Sequence, residues 1–283
     1  MEQQPTLLTS TNNGLIKQIV QWQEKSRARK KDGLFVVEGL REINLAHKAG
    51  YQGSMFFYCN EIAHNPAAQT NHIAALDFIK SIGGQGIKTY EVSLGVYKKI
   101  AYRSSTEGVI GVFKSKNHEL KALQLKSKNP LILVAEAPEK PGNIGALLRT
   151  ADAAGVDAFL LANPLTDLYN PNIIRSSVGG IFTTTIATGT TQEIIDYLNG
   201  HNIAIYSAIL QEAIPYTQAN YTNPTALVVG TEADGLSETW RAASKAKVKI
   251  PMNGAIDSMN VSVSAGILIY EALRQRSINA VES

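Results

Sequence analysis

One cysteine, Cys59, stands in 283 residues. A single thiol excludes an intramolecular disulfide and any cysteine metal cluster. The five histidines show no metal-ligand spacing, so no metal is expected. No apolar run approaches the ~20 residues needed to span a bilayer. The opening Met1-Glu-Gln-Gln-Pro-Thr6 is polar and holds no apolar signal core. The expectation is a cytoplasmic protein with no membrane partner. Two nucleotide signatures are also missing. No G-x-G-x-x-G follows a strand-like run, and no G-x-x-x-x-G-K-[ST] phosphate loop occurs, so nucleotide hydrolysis is not expected. There is no internal repeat and no low-complexity tract.

Hydrophobic residues make up 44% of the chain, which fits a globular protein long enough for two domains. The net charge of +3 hides an asymmetry. Residues 1–128 carry 18 Lys and Arg against 10 Asp and Glu, a net +8. Residues 129–283 carry 9 against 14, a net −5. A basic half beside an acidic half points to a polyanion bound mainly through the first, although a solvated basic surface accounts for the charge equally well.

Both halves alternate helix and strand patterns, the signature of an α/β layer structure. In the first half, Leu15–Glu24 is apolar at helical spacing, and the basic run Lys25–Lys31 follows it. Short β-rich runs at 34–37, 55–58, 88–92 and 108–113 are separated by helical patterns at 41–48, 72–82 and 93–99, the last with Ser93 as its cap. Residues 1–115 form one expected domain. The polar, lysine-rich 116–128 reads as a linker, with Leu120, Leu123 and Leu125 as candidates for packing. The second expected domain is 129–283. Its strands are predicted at 131–135, 158–162, 183–187, 203–208, 226–229 and 248–250. Several are continuous apolar runs, as strands buried on both faces of a parallel sheet require. Helices are predicted at 145–154, 192–198, 237–243 and 261–276.

Three blocks in the second half share one chemistry. They are Asn143-Ile-Gly-Ala-Leu-Leu-Arg149, Val229-Gly-Thr-Glu-Ala-Asp-Gly-Leu236, and Ile250-Pro-Met-Asn-Gly254 followed by Ser258-Met-Asn-Val-Ser-Val-Ser264. Each begins where a predicted strand ends, and each is rich in Gly, Asn and Ser. Such segments bring backbone polar groups close to a ligand, and in open parallel sheets ligands sit beyond the carboxyl ends of the strands. Read as residues alone, Asn143 and Ser258 serve equally as helix caps, Arg149 as a surface cation, and Ile250 and Met259 as core.

Together the blocks resemble the three motifs of the SpoU/TrmH-type RNA 2′-O-ribose methyltransferases of the SPOUT superfamily. Asn143, Gly145, Arg149 and Ala151 match the first; Gly230, Glu232, Gly235 and Leu236 the second, with Ala233 where Gly is usual; Ile250 to Val263 the third. Asn170–Phe182 and Arg29–Gly39 are similar to further family segments, the latter in the smaller substrate-binding domain. The resemblance implies a C-terminal parallel sheet flanked by helices and closed by a deep trefoil knot, with a smaller N-terminal α/β RNA-binding domain. It implies S-adenosyl-L-methionine as cofactor, RNA (ribosomal RNA first) as substrate, and a homodimer. The alternatives are a transfer-RNA or resistance-type rRNA 2′-O-methyltransferase, or a non-catalytic RNA-binding protein retaining the fold.

The same resemblance assigns catalytic roles to Arg149, Asn143, Glu232, Ser258 and Asn260. It assigns cofactor contacts to Gly230, Ile250, Met252 and Met259. The basic residues Arg27, Arg29, Lys30, Lys31 and Arg175 become candidate RNA-backbone contacts. Arg149 is assigned to the substrate ribose. A guanidinium is a poor base, since its pKa lies above ~12, so binding a phosphate and stabilising a developing alkoxide suit it better than proton removal.

Overall fold

The computed structural model describes residues 6–64, 74, 77–79, 81, 87–102, 108–231, 235–255 and 258–282. The chain forms two compact units. Unit 1 is Met1–Lys116 with Leu168–Ile174, and unit 2 is Asn117–Asp167 with Arg175–Ser283.

Unit 1 is built on a mixed five-stranded sheet. Its elements are β1 (Thr6–Leu8), α1 (Gly14–Glu24), α2 (Ser26–Asp32), β2 (Leu34–Glu38), α3 (Leu40–Lys48), β3 (Gly53–Tyr58), β4 (Lys88–Val92), α4 (Leu94–Ile100) and β5 (Val109–Lys114). The strand order is β1-β4-β3-β5-β2, with β5 antiparallel to both neighbours. Asn13 caps α1 by accepting the Leu15 N–H, and Ile16, Ile19 and Trp22 turn one face of that helix into the core with Val36, Phe57 and Val112. Ser93 caps α4 as expected. The basic run at 25–31 forms α2, ended by Gly33 at φ +64, whose N–H donates to the Arg29 carbonyl. On the other face of the sheet Tyr169 stacks on Phe35 with ring centroids 4.1 Å apart, and its hydroxyl accepts the Lys116 N–H at 2.9 Å. The helix expected over 72–82 lies largely outside the described residues.

Unit 2 is built on seven strands, all parallel. Its elements are β6 (Leu131–Glu136), α5 (Pro141–Ala154), β7 (Ala158–Ala162), α6 (Pro171–Ser176, of which only the last two residues belong to this unit), α7 (Gly180–Thr183), β8 (Ile186–Gly189), α8 (Thr191–Gly200), β9 (Ala204–Ala208), β10 (Ile214–Pro215), β11 (Thr225–Val229), α9 (Glu238–Ala243), β12 (Ala246–Lys249) and α10 (Val261–Glu282). The order is β10-β12-β9-β11-β6-β7-β8. The central strands are buried on both faces, which explains their continuous apolar runs. Ile132, Val134, Leu160 and Val228 pack with Trp240 and with Ile194 and Leu198 of α8. The helix α10 packs against α5 and β11.

Two expectations are corrected here. The stretch 116–128 is not a free linker beyond Lys116. Leu120, Leu123 and Leu125 pack against the unit 2 core, and Glu119 bridges to Thr188 beside β8. Those leucines have apolar area to bury, while the neighbouring Lys121, Lys126 and Lys128 are exposed. The strand expected at 183–187 begins only at Ile186, because Ile181 and Phe182 are buried as part of the short helix α7.

The far end of α10 is fixed at the amino edge of the sheet. Arg276 donates to the carbonyls of Asn129 (2.8 Å) and Pro130 (3.1 Å) ahead of β6, and of Tyr221 (3.0 Å) and Asn223 (2.8 Å) ahead of β11. Burial pushes its pKa down from the ordinary arginine value. No helix among the described residues is long and apolar enough to cross a membrane.

Candidate active site

Because every pair in the seven-stranded sheet is parallel, the carboxyl ends of β6, β11 and β12 lie along one edge, and all three blocks emerge there. The first and third meet. Asn260 Nδ2 donates to Asn143 Oδ1 at 3.2 Å. Asn143 sits in the first turn of α5, and Asn260 caps α10. The Asn260 carbonyl accepts the Val263 and Ser264 N–H groups, while its side-chain oxygen accepts the Ser262 N–H (3.0 Å) and hydroxyl (2.6 Å). Asn260 therefore takes the cap role that the sequence offered to Ser258. Ser258 is exposed. Asn143 is no cap either, since α5 opens on Lys140 with Pro141 in its first turn. The two helices run in the same direction, and a Cβ on Gly266 would meet Thr150 at 3.6 Å.

Gly145 explains itself by close approach. A Cβ there would lie 1.8 Å from Ser176 Oγ and 2.8 Å from the Ser177 nitrogen. The turn that comes so close holds Val178 at φ +52 and Gly179 at φ +89. That conformation costs a β-branched residue about 1–3 kcal/mol, and it persists here because Ser177 and Ile181 are buried around it. Arg175, just before this turn, is exposed.

In the second block, Thr231 and Gly235 exchange two backbone hydrogen bonds of 3.1 and 3.2 Å, closing the base of the loop. Gly230 packs directly on that closure: a Cβ would lie 2.2 Å from Gly235 backbone atoms, so no side chain fits. Glu232 lies outside the described residues, as do Ala233 and Asp234.

Arg149 is exposed on α5, and its side chain makes no hydrogen bond or ion pair among the described residues. Among the described residues it has no partner of the kind a structural arginine needs, and no hydrogen bond to Asn143. In the third block, Ile250, Met252 and Met259 are half-buried. Met252, Asn253, Gly254, Ala255, Ser258 and Met259 make no hydrogen bond among the described residues. Backbone donors and acceptors with no partner among the described residues, beside half-buried thioethers, suit a ligand with an apolar face and polar edges. An adenosine-bearing cofactor has those features, so the residues present fit it.

Of the basic residues, Arg27, Lys30 and Lys31 are exposed on α2. Arg29 is not. It is 4% exposed, and its Nη1 donates to the carbonyls of Trp22 (2.6 Å) and Gln23 (2.9 Å) at the end of α1. It neutralises orphan carbonyls and the negative end of that helix, so its expected role on RNA phosphates is corrected to a structural one.

One residue at this edge escaped sequence reasoning. Glu136 ends β6, is buried, and accepts hydrogen bonds from Ser237 and Thr191. An acidic residue closing the apolar run Leu131–Ala135 was the signal that could have marked it.

Comparison with known proteins agrees with this arrangement. Residues 130–270 match the SpoU rRNA Methylase family, and residues 13–111 match the MRM3-like substrate binding domain. A 23S rRNA (uridine(2479)-2′-O)-methyltransferase of Streptomyces viridochromogenes is 26% identical over 268 residues, covering 90% of this chain and 89% of that protein. The 23S rRNA (guanosine-2′-O-)-methyltransferase RlmB of Neisseria meningitidis serogroup B is 31% identical, covering 71% of this chain and 82% of that protein. Among solved structures, an RNA 2′-O ribose methyltransferase superposes with a TM-score of 0.80 at 37% identity, covering 96% of this chain and 100% of that one. The AdoMet-bound rRNA methyltransferase of Sinorhizobium meliloti superposes with a TM-score of 0.81 at 26% identity, covering 96% and 98%. With its three motif blocks gathered on one edge of a parallel sheet and relatives matched along most of their length, the chain belongs to the SpoU rRNA methylase family.

Proposed function

We propose that this protein is an S-adenosyl-L-methionine-dependent methyltransferase acting on a ribose 2′-hydroxyl of ribosomal RNA. The observation that carries the reading is the Asn143–Asn260 hydrogen bond, which unites the first and third blocks at the ligand-binding edge of the sheet. The cofactor supplies an electrophilic methyl group. Gly230, Ile250, Met252 and Met259 hold it through backbone groups and apolar contact, and the resemblance adds Glu232 of the second block to the catalytic set. Arg149 is exposed and without a partner among the described residues, so its guanidinium is available to grip a phosphate of the substrate and to stabilise the alkoxide that develops as the 2′-hydroxyl attacks. Asn143, Asn260 and Ser258 orient the ribose. Alignment supplies much of the rate in such a displacement.

RNA is held through its backbone by Arg27, Lys30 and Lys31 of unit 1 and by Arg175 of unit 2, all exposed. Contacts of this kind give affinity and salt dependence with little sequence choice. The active form is a homodimer. Val263, Tyr270 and Ile278 recur on one face of α10 and are 51%, 54% and 44% exposed, an apolar stripe that a second copy covers. The C-terminal segment threads a loop to form a knot. Its support is that the chain leaves β12, outside β9, and returns across β9 and β11 to lay α10 on α5.

The test is direct. Purified protein is incubated with labelled S-adenosylmethionine and rRNA, the RNA is digested, and the nucleosides are separated. Label in 2′-O-methyl nucleosides is the expected result. Label confined to base-methylated nucleosides, or none, overturns the proposal.

A further inference from the structure

Glu136 is 7% exposed at the carboxyl end of β6, where a charged group is costly unless it is bonded. Three donors reach it. Ser237 gives its N–H to Oε2 at 2.8 Å and its hydroxyl to Oε1 at 2.7 Å, and the Thr191 hydroxyl adds 3.0 Å to Oε1. Thr191 in turn accepts 3.0 Å from Nδ2 of Asn163, which stands at φ +49 just beyond β7. One chain of hydrogen bonds thus joins residues at or beyond the carboxyl ends of β6, β7, β8 and β11.

Ser237 occupies the cap position of α9, yet its side chain makes no cap bond to that helix. Its N–H and hydroxyl are spent on Glu136 instead, while its carbonyl accepts the Arg241 N–H. It directly follows the second block, whose Leu236 is buried and whose Gly235 is bonded to Thr231. One foot of the loop is Val229 in β11, and the other is held by Glu136. We infer that Glu136 is a positioning residue for the cofactor, acting through Ser237 to hold Gly235 and Leu236, and through Gly235 the Gly230–Thr231 foot of the second block, in place. The inference rests on the function proposed above. Among the described residues, each side-chain bond at Glu136 is accepted by it, and a carboxylate offers acceptors to all three at once.

The full-length Glu136→Gln, Ser237→Ala and doubly substituted proteins test this. Gln keeps the size but loses the charge and one acceptor, so the three bonds must rearrange, with the Ser237 N–H still needing an oxygen. In cofactor-free protein, amide hydrogen exchange over 229–237 is expected to quicken roughly tenfold or more, and S-adenosylmethionine to bind roughly tenfold more weakly by calorimetry. RNA affinity should hold, and the two substitutions should combine to less than the sum of their separate effects. Ser237→Ala removes one hydroxyl and carries the test if Glu136→Gln does not fold. Unchanged exchange, or quickened exchange with unchanged cofactor affinity, overturns the inference alone. A wild-type protein that binds no S-adenosylmethionine overturns the proposed function as well, while the exchange measurement still decides whether Glu136 holds the loop.

Discussion

Asn260 reaches Asn143, 117 positions away in the sequence, with the amide nitrogen that capping α10 leaves over. One side chain therefore starts a helix and joins two motif blocks. The two roles separate by substitution. Asn143→Leu removes the crosslink but no cap, so the unfolding free energy from urea titration should fall by no more than about 0.5–1 kcal/mol while methylation falls tenfold or more. Asn260→Ala removes both and should cost about 1 kcal/mol of stability besides. Full methylation by Asn143→Leu would show the crosslink to be incidental.

Arg149→Ala alters an exposed residue with no partner among the described residues, so stability should stay within about 0.5 kcal/mol of wild type. Methylation should be lost while S-adenosylmethionine still binds. Arg149→Lys should recover little, because a point charge does not reproduce the planar fork. Loss of cofactor binding in a folded Arg149→Ala protein contradicts the role given to it.

Four basic residues within five positions should behave in two ways. Lys30→Ala with Lys31→Ala should flatten the salt dependence of RNA binding, by a slope of about 1 for each phosphate no longer neutralised, with little change in stability. Arg29→Ala should cost about 2 kcal/mol of stability by stranding the carbonyls of Trp22 and Gln23. Thermal melts and filter binding at several salt concentrations separate the two. A melting temperature untouched by Arg29→Ala would return that residue to the RNA surface.

Glu271 of α10 accepts two bonds from Arg274 and one from Gln275, all of 2.8 Å. The Arg274 hydrogen bonds hold its carboxyl below the ordinary value of 4.5, against the opposing effect of burial. A depressed folded pKa contributes stability that is fully present above the unfolded value and is lost as pH falls through the folded one. The melting-temperature gap between wild type and Glu271→Gln should therefore be widest near neutral pH and close below about pH 4.5. A gap that widens in acid would reverse the sign of this coupling.

Much of the fold was legible in the sequence because burial writes itself into composition. Runs such as Leu131–Ala135 and Ala158–Ala162 read as strands covered on both faces, and the structure places strands there. The motif blocks were legible because Gly145 and Gly230 sit where a Cβ collides with neighbouring atoms. Arg29 was misread because charge in a basic run carries no mark of direction; whether a guanidinium faces water or a helix end is settled by packing. Glu136 was passed over for a related reason. Its partners Thr191 and Ser237 lie 55 and 101 residues away, and no local pattern announces a bond of that range.

The Arg276 anchorage bears on how the active edge is kept in register. Sixteen residues of helix separate Arg276 from Asn260, about 24 Å along the axis. The side chain that meets Asn143 is thus the tip of a rod whose other end is gripped by four carbonyls. Trimming the chain short of Arg276 should slacken that rod and lower turnover from a distance, with every residue of the catalytic edge still in place. A tag added after Ser283 leaves the grip untouched.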